Sequence, residues 1–379
     1  MPLRIEVLEP YDAVSHRLHW EGLQRFSAHE WRISSLPPRL WKFRMRTASI
    51  HFADQIGARD RAGESPPDLW VASEYLSVAE FLPLLPPRWR SVPVVVDFHE
   101  NQLTYPLQPG EQRDHHFAFS HVHAGLAAAR SIFHSNYHRE EYLGALPALF
   151  RPVPDVDLSR VPERLRERST VLPLGTDVAR RAPKVSGEVP VLLWNHRFEY
   201  DKGPAAFLNA IRTLLDRGGE FRVRLLGQRF RKEPEELATL RGWLGDRLLA
   251  DGWIESREQY LEAVASCDVA LSTADHEFFG LAALEAVRLG LIPVFPDDLA
   301  YPELLDEPSR RFPLLYDRRC GVADALEAAL RIASEPSVAE WRTQLVESTD
   351  RFLWSVVAPR YDALCEQVVA ESRRESVER

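Results

Sequence analysis

The chain of 379 residues is poor in cysteine, methionine and lysine. Its three cysteines, Cys267, Cys320 and Cys365, are scattered without paired spacing. They form neither a disulfide framework nor a zinc motif, which suits a reducing compartment. Lysine is nearly absent: of 47 basic residues only Lys42, Lys184, Lys202 and Lys232 are lysine, and the rest are arginine. In so Arg-biased a chain, arginine abundance alone carries little functional meaning. No uncharged apolar run reaches the ~18–20 residues of a membrane span. The opening segment MPLRIEVLEP is broken by Arg4, Glu6 and Glu9, so it reads as no signal-peptide core. These absences lead to the expectation of a cytoplasmic protein. A net charge of −9 argues against a polyanion-coating surface.

What is present is a globular composition, with 45% hydrophobic and 27% charged residues. Short apolar runs alternate with helix-length amphipathic stretches. Leu3–Leu8, Asp68–Ala72, Val92–Phe98 and Ser131–His134 read as buried strands. Ser15–His29, Tyr75–Leu82, Asp114–Ala129 and Tyr137–Leu146 read as the helices between them. The alternation indicates a parallel α/β unit. It restarts after the polar stretch Pro183–Pro190, which reads as a linker. Strands are expected at Val191–Trp194, Phe221–Leu226, Val269–Thr273 and Ile292–Phe295. Helices are expected at Pro204–Arg217, Pro234–Leu249, Arg257–Cys267 and Leu281–Leu289, then at Val322–Ser334, Ala339–Ser348 and Val356–Ser372. The expected division is 1–182, 183–355 and a terminal helix, 356–379, returning to the first domain.

In the second half, His276-Glu277-Phe278-Phe279-Gly280-Leu281-Ala282-Ala283-Leu284-Glu285 follows a strand and opens a helix. Free N–H groups at a helix start attract phosphate, although the dipole alone contributes only ~0.3–1 kcal/mol. Cationic help stands at the neighbouring crevice, where Trp194-Asn195-His196-Arg197 ends a strand and Asp201-Lys202-Gly203-Pro204 opens a helix. Each element alone is more often a solvated face or a helix cap. Together, at two successive strand-to-helix crevices, they favour a nucleotide-diphosphate site. These residues resemble the C-terminal domain of retaining GT-B glycosyltransferases, with Arg, then Lys five residues on, then Glu-x7-Glu. The resemblance implies a GT-B fold of two Rossmann-like domains facing across a cleft. It also implies that Arg197 and Lys202 hold the diphosphate, that Glu277 contacts the donor sugar, and that the Phe279, Gly280 and Leu281 backbone lies nearby. Glu285 would accept ribose hydroxyls. By position alone, Trp253 and Ile254 are candidates for the nucleobase.

In the first half, Asp97-Phe98-His99-Glu100-Asn101-Gln102-Leu103-Thr104-Tyr105-Pro106 places consecutive polar groups at a strand end, which is poor core and good binding-site material. Trp41-Lys42-Phe43-Arg44-Met45-Arg46 interleaves aromatic and basic residues. Six basic against two acidic residues between Ser34 and Ala62 give a local +4. Stacking surfaces beside cations fit RNA, and an amphipathic helix with its arginines in water fits the same pattern. Arg222, Arg224, Arg229, Arg231 and Lys232 carry the same ambiguity.

Glu9-Pro10, Ser15-His16, Trp41–Arg46, His99–Pro106, Ser135-Asn136 and Asn195–Lys202 together resemble the tRNA-queuosine α-mannosyltransferase family across nearly the whole chain. One departure is Ala13-Val14, where that family usually shows Gly-Gly. The resemblance implies retaining transfer of mannose from GDP-mannose to the queuosine cyclopentenediol in the tRNA-Asp anticodon. His99 would then orient donor sugar or acceptor, and Ser15, His16, Trp41, Arg44, Arg46, Glu100, Asn101 and Gln102 would face the acceptor. No metal or cofactor is expected. His115, His116, His121 and His123 share one helical stretch, where at least two must face apart. A GT-B enzyme with a lipid or small-molecule acceptor, and a non-catalytic tRNA- or nucleotide-binding protein, are the alternatives.

Overall fold

A computed structural model describes residues 1–108, 110–181, 189–230, 233–305 and 315–378. Most of the expected linker, together with Lys184, Arg231 and Lys232, lies outside the described residues. The chain divides into two compact units, Met1–Gly175 with Trp354–Arg379, and Thr176–Leu353. The expected boundaries at 182/183 and 355/356 thus fall at 175/176 and 353/354. The physical reason is local pairing: Thr176 N–H donates to Phe352 O at 2.9 Å, and Thr176 bridges Leu353.

The first unit holds β1 (Arg4–Glu9), β2 (Glu30–Ser35), β3 (Leu69–Ser73), β4 (Val94–Phe98), β5 (Arg130–Phe133) and β6 (Ser169–Val171). They form one sheet in the order β2-β1-β3-β4-β5-β6, and every pairing is parallel. Side chains alternate across a strand, so Leu69 and Val71 face one core while Trp70 and Ala72 face the other. Helices Trp41–Arg61, Val78–Leu84, His115–Ala127 and Asn136–Phe150 contribute to the cluster containing Trp70. Helices Val14–Phe26 and Trp354–Glu378 cover the other face.

The last helix is locked in by Trp354. A Cβ at Gly22 or Gly175 would lie 2.1 or 2.3 Å from ring atoms of Trp354. Only glycine lets the indole lie flat on both backbones, and it is buried there.

The second unit repeats the plan with β7 (Val191–Asn195), β8 (Arg222–Leu226), β9 (Leu248–Gly252), β10 (Val269–Leu271), β11 (Ile292–Pro296) and β12 (Leu315–Tyr316), in the order β12-β11-β10-β7-β8-β9. All pairings are parallel. All strands of each sheet therefore deliver their following loops to one edge, where open α/β sheets bind ligands.

Two sequence expectations needed correction. The stretch expected as helix Pro234–Leu249 is helix Glu235–Leu244, a tight turn and then strand β9. The stretch expected as helix Ser15–His29 stops at Phe26 and is followed by strand β2. Strand β2 lies at a sheet edge, and its sequence EWRISS is too polar to announce a strand.

Candidate active site

In the first unit, the ends of β1, β3, β4 and β5 gather a dry cluster of acids and imidazoles. Glu9, Glu74, Asp97, His16, His19 and His134 are all buried. Each carboxylate is bound from several sides. Glu9 accepts from the Tyr11 backbone N–H at 2.8 Å, Ser73 Oγ at 2.9 Å and Trp20 Nε1 at 3.0 Å, and meets His16 Nδ1 at 2.9 Å. Asp97 meets His19 Nε2 and His134 Nε2, each at 3.1 Å. Glu74 accepts the backbone N–H groups of His99 and Glu100 at 3.3 and 3.1 Å.

His99 stacks on His16 with ring centroids 3.9 Å apart. The two stacked rings have opposite titration behaviour. Burial works against protonation of His16, but Glu9, with help from Glu74 and Glu100, raises its pKa to about 9. Burial and the neighbouring imidazoles push the pKa of His99 well below the usual range. His99 is therefore neutral and His16 cationic at pH 7. Burial pushes Glu74 well above the carboxylate range, and Glu100 and Glu9 add to it, whereas His16 opposes. Burial also works against ionisation of Asp97, yet His134 and His19 pull its pKa below the usual value.

The remaining residues of the expected acceptor set are distributed unevenly. Ser15 is exposed in the first turn of its helix. Glu100 accepts from Tyr75 Oη at 2.5 Å and Gln102 Nε2 at 2.7 Å. Asn101 is fully buried, and its Oδ1 accepts the Leu103 and Thr104 N–H groups at 3.0 and 2.8 Å. It shapes the turn that presents its neighbours. Trp41 packs on Phe117, with ring centroids at 5.1 Å, and Arg46 lies over the same ring. Arg44 is half-buried and Arg46 exposed.

Sequence reasoning passed over Leu40 and Phe43 as individual residues, yet they are 74% and 68% exposed at the start of this helix. His19 and His134 were missed as partners of Asp97. The sequence signal for them was the crowding of 11 of the 13 histidines before residue 178.

Among the described residues, one group has metal-like spacing: His19, Asp97 and His99, with ligand atoms within 4.8 Å of one another. Both Asp97 oxygens already face imidazoles, His19 Nε2 on one and His134 Nε2 on the other.

In the second unit, Lys202 is buried and held rigidly. Its Nζ donates to the His276 carbonyl at 2.8 Å, and lies 3.0 Å from Asp201 Oδ2 and 3.7 Å from Glu277 Oε2. The tight turn at Gly203 makes this possible. Gly203 has φ +62, and a Cβ there would sit 2.0 Å from Thr273 O. Glu277 Oε1 accepts the Gly280 N–H at 3.1 Å at the start of helix Leu281–Arg288. Phe279 and Gly280 are buried, and Leu281 is half-buried. Strands β10 and β7 are neighbours, so the loop of Arg197 and the loop of Glu277 leave adjacent strand ends. Arg197 is exposed, with Nε 3.1 Å from Glu199. His196 and His276 flank this site with pKa values lowered to about 3, chiefly by burial and then by Lys202, so both are neutral.

Glu285 is buried, and its two oxygens are taken by Arg257, Nη1 to Oε2 at 3.0 Å and Nη2 to Oε1. Arg257 was not singled out from the sequence. Trp253 is 49% exposed and Ile254 half-buried just after β9, at the same edge of the sheet.

Comparison with known proteins gives this arrangement a family. The family described as tRNA-queuosine alpha-mannosyltransferase N-terminal matches residues 4–176, and glycosyl transferases group 1 matches residues 176–329. A tRNA-queuosine alpha-mannosyltransferase of Drosophila melanogaster is 31% identical, over 97% of this chain and 98% of the relative. The chain belongs to the tRNA-queuosine alpha-mannosyltransferase family. It is a glycosyltransferase.

A GDP-mannose:cellobiosyl-diphosphopolyprenol alpha-mannosyltransferase of Xanthomonas campestris is 27% identical over 53% of this chain and 52% of its own. Among solved structures, sucrose-phosphate synthase from Thermosynechococcus elongatus shares the fold, with a TM-score of 0.67 at 18% identity over 97% of this chain and 100% of that one. Two parallel-sheet α/β units of the GT-B kind are thus the architecture of this chain. Among the described residues, no helix is long and apolar enough to cross a membrane.

Proposed function

We propose that this enzyme transfers an α-mannosyl group from GDP-mannose to a hydroxyl of the queuosine cyclopentenediol in the anticodon of tRNA-Asp. In this reading the reaction proceeds in the cytoplasm with retention of configuration, and needs no metal. The observation that carries it is the ammonium of Lys202, which follows the same strand as Arg197, held beside Glu277 at a helix start on the neighbouring strand, in a chain of this family.

The sugar C1–phosphate oxygen bond breaks, and a bond from C1 to the acceptor oxygen forms on the same face. The acceptor proton passes to the leaving phosphate oxygen. Negative charge grows on the departing diphosphate, where Arg197 and Lys202 stabilise it. Lys202 is already desolvated and held by Asp201 and the His276 carbonyl, so little reorganisation accompanies the reaction. Glu277 positions the donor sugar. His99, neutral and backed by the His16 ring, hydrogen-bonds a sugar or acceptor hydroxyl without adding charge. The exposed Phe43 and the basic residues around it supply the stacking surface and cations for the anticodon loop. The wobble base leaves its stack to react.

The test is incubation with GDP-mannose and queuosine-containing tRNA-Asp, digestion, and mass analysis of the modified nucleoside. A gain of one hexose is expected. No gain with folded protein overturns the reading. A thermal-shift comparison of GDP with UDP reads donor class separately, because a ligand raises stability by mass action.

A further inference from the structure

We infer that Arg257 is a positioning residue for the donor: its guanidinium grips both oxygens of Glu285 and holds that carboxylate in place to receive the vicinal hydroxyls of the nucleotide ribose. This rests on the donor reading proposed above. Glu285 sits on helix Leu281–Arg288 with its side chain buried. Arg257 reaches it from the first residue of helix Arg257–Ala265, where Ser256 caps the helix by accepting the Gln259 N–H. The contact is the two-pronged fork that fixes a carboxylate in angle as well as distance. A carboxylate offers about four lone-pair positions and the fork uses two, which leaves acceptor capacity for a diol.

Arg257 is itself held. Its guanidinium lies 5.4 Å from the Tyr260 ring centroid, and Tyr260 Oη is 2.6 Å from Asn195 Nδ2. Asn195 ends β7, immediately before His196 and Arg197, so one line of contacts joins Glu285 to the strand end that presents Arg197. Glu285 faces Arg257 and Tyr260 from one helix and Asp177 from the segment that opens this unit. Burial dominates and raises the pKa of Glu285; Asp177 adds to this, and Arg257 opposes it.

The experiment is steady-state kinetics with GDP-mannose varied at saturating acceptor, from pH 6 to pH 9. The proteins are the wild type, Arg257→Ala, Arg257→Lys and Glu285→Ala. Arg257→Ala is expected to raise the donor KM about tenfold or more at pH 7 while kcat stays within about threefold. Its KM should fall again as pH rises, because a carboxylate without its cation ionises only at higher pH. Arg257→Lys should restore most of the affinity, and a 2′-deoxyribose donor should lose less affinity in Arg257→Ala than in the wild type.

A wild-type or lower donor KM in Arg257→Ala, with a raised KM in Glu285→Ala, overturns the inference and leaves the donor reading standing. An unchanged KM in Glu285→Ala overturns the ribose assignment itself. Should Arg257→Ala not fold, Arg257→Gln, which keeps the side chain's reach and loses its charge, carries the same expectations.

Discussion

The two units share one architecture and use it for opposite electrostatic purposes. In the first, the loops at the strand ends hold acids and imidazoles away from water. The outcome is a neutral His99 resting on a cationic His16, with Glu74 pushed toward its protonated form. In the second, the ionisable side chains are pinned by partners: Lys202 by Asp201 and the His276 carbonyl, Glu285 by Arg257. Burial shifts protonation in both units, neutralising His99 in the first and His196 and His276 in the second; only the second adds an Arg–carboxylate fork and a paired lysine. The first arrangement suits hydrogen bonding to uncharged hydroxyls. The second suits a polyanion such as a diphosphate.

The largest expected effect tests whether the buried cluster in the first unit is held together through Asp97. Asp97→Ala leaves His19 and His134 buried without their shared carboxylate. A buried donor left without its acceptor costs about 1–3 kcal/mol, so with two imidazoles affected chemical denaturation should show a loss of a few kcal/mol. A loss below about 1 kcal/mol would mean the imidazoles are indifferent to Asp97.

Next comes the pinned cation. Lys202→Met keeps the aliphatic reach and removes the charge. Turnover should fall about 100- to 1,000-fold, the scale of a lost transition-state donor, and GDP affinity should fall with it. Wild-type turnover would place the diphosphate elsewhere.

A smaller effect is expected from pH. The folded pKa of His16, about 9, lies above its ordinary value of 6.5. Its contribution to stability is therefore fully present below about pH 6.5 and is lost as pH rises through about 9. It amounts to no more than about 3.5 kcal/mol. Denaturation at pH 6 and pH 9.5 should show this loss in the wild type, and Glu9→Gln should flatten it. An equal slope in the variant would move the origin away from this pair.

Most of the architecture was legible because parallel strands buried on both faces write themselves as near-continuous apolar runs, as in Val94-Val95-Val96 and Ile292–Pro296. Edge strands were not legible. Glu30–Ser35 has one neighbouring strand and polar residues at most positions. The Arg/Lys and Glu-x7-Glu groups could be found because their spacing along the chain follows from strand-to-helix geometry. The partners of those groups could not. Arg257 and Glu285 are 28 residues apart and meet only through the order of the sheet. The same holds for His19 and Asp97, 78 residues apart. Asn101 illustrates the converse: a polar residue in a stretch expected to bind the acceptor, whose side chain serves its own turn.

The smallest effect concerns Leu40, at the start of helix Trp41–Arg61. It has φ 52, a left-handed conformation, and its side chain is 74% exposed. For a residue other than glycine that conformation costs about 1–2 kcal/mol. Leu40→Gly removes the strain but gives the unfolded chain about 0.5–1 kcal/mol of extra conformational freedom. The net change should be a stabilisation of under about 1 kcal/mol, visible as a small rise in melting temperature. An apolar side chain held out in a strained backbone beside the exposed Phe43, Arg39 and Lys42 gains nothing from the fold itself. If the strain serves the acceptor, Leu40→Gly should lower kcat/KM for tRNA several-fold and leave donor KM unchanged. A stabilised variant with unchanged kcat/KM would separate this helix from acceptor binding, and the first unit's part in the reaction would then rest on the His16–His99 pair.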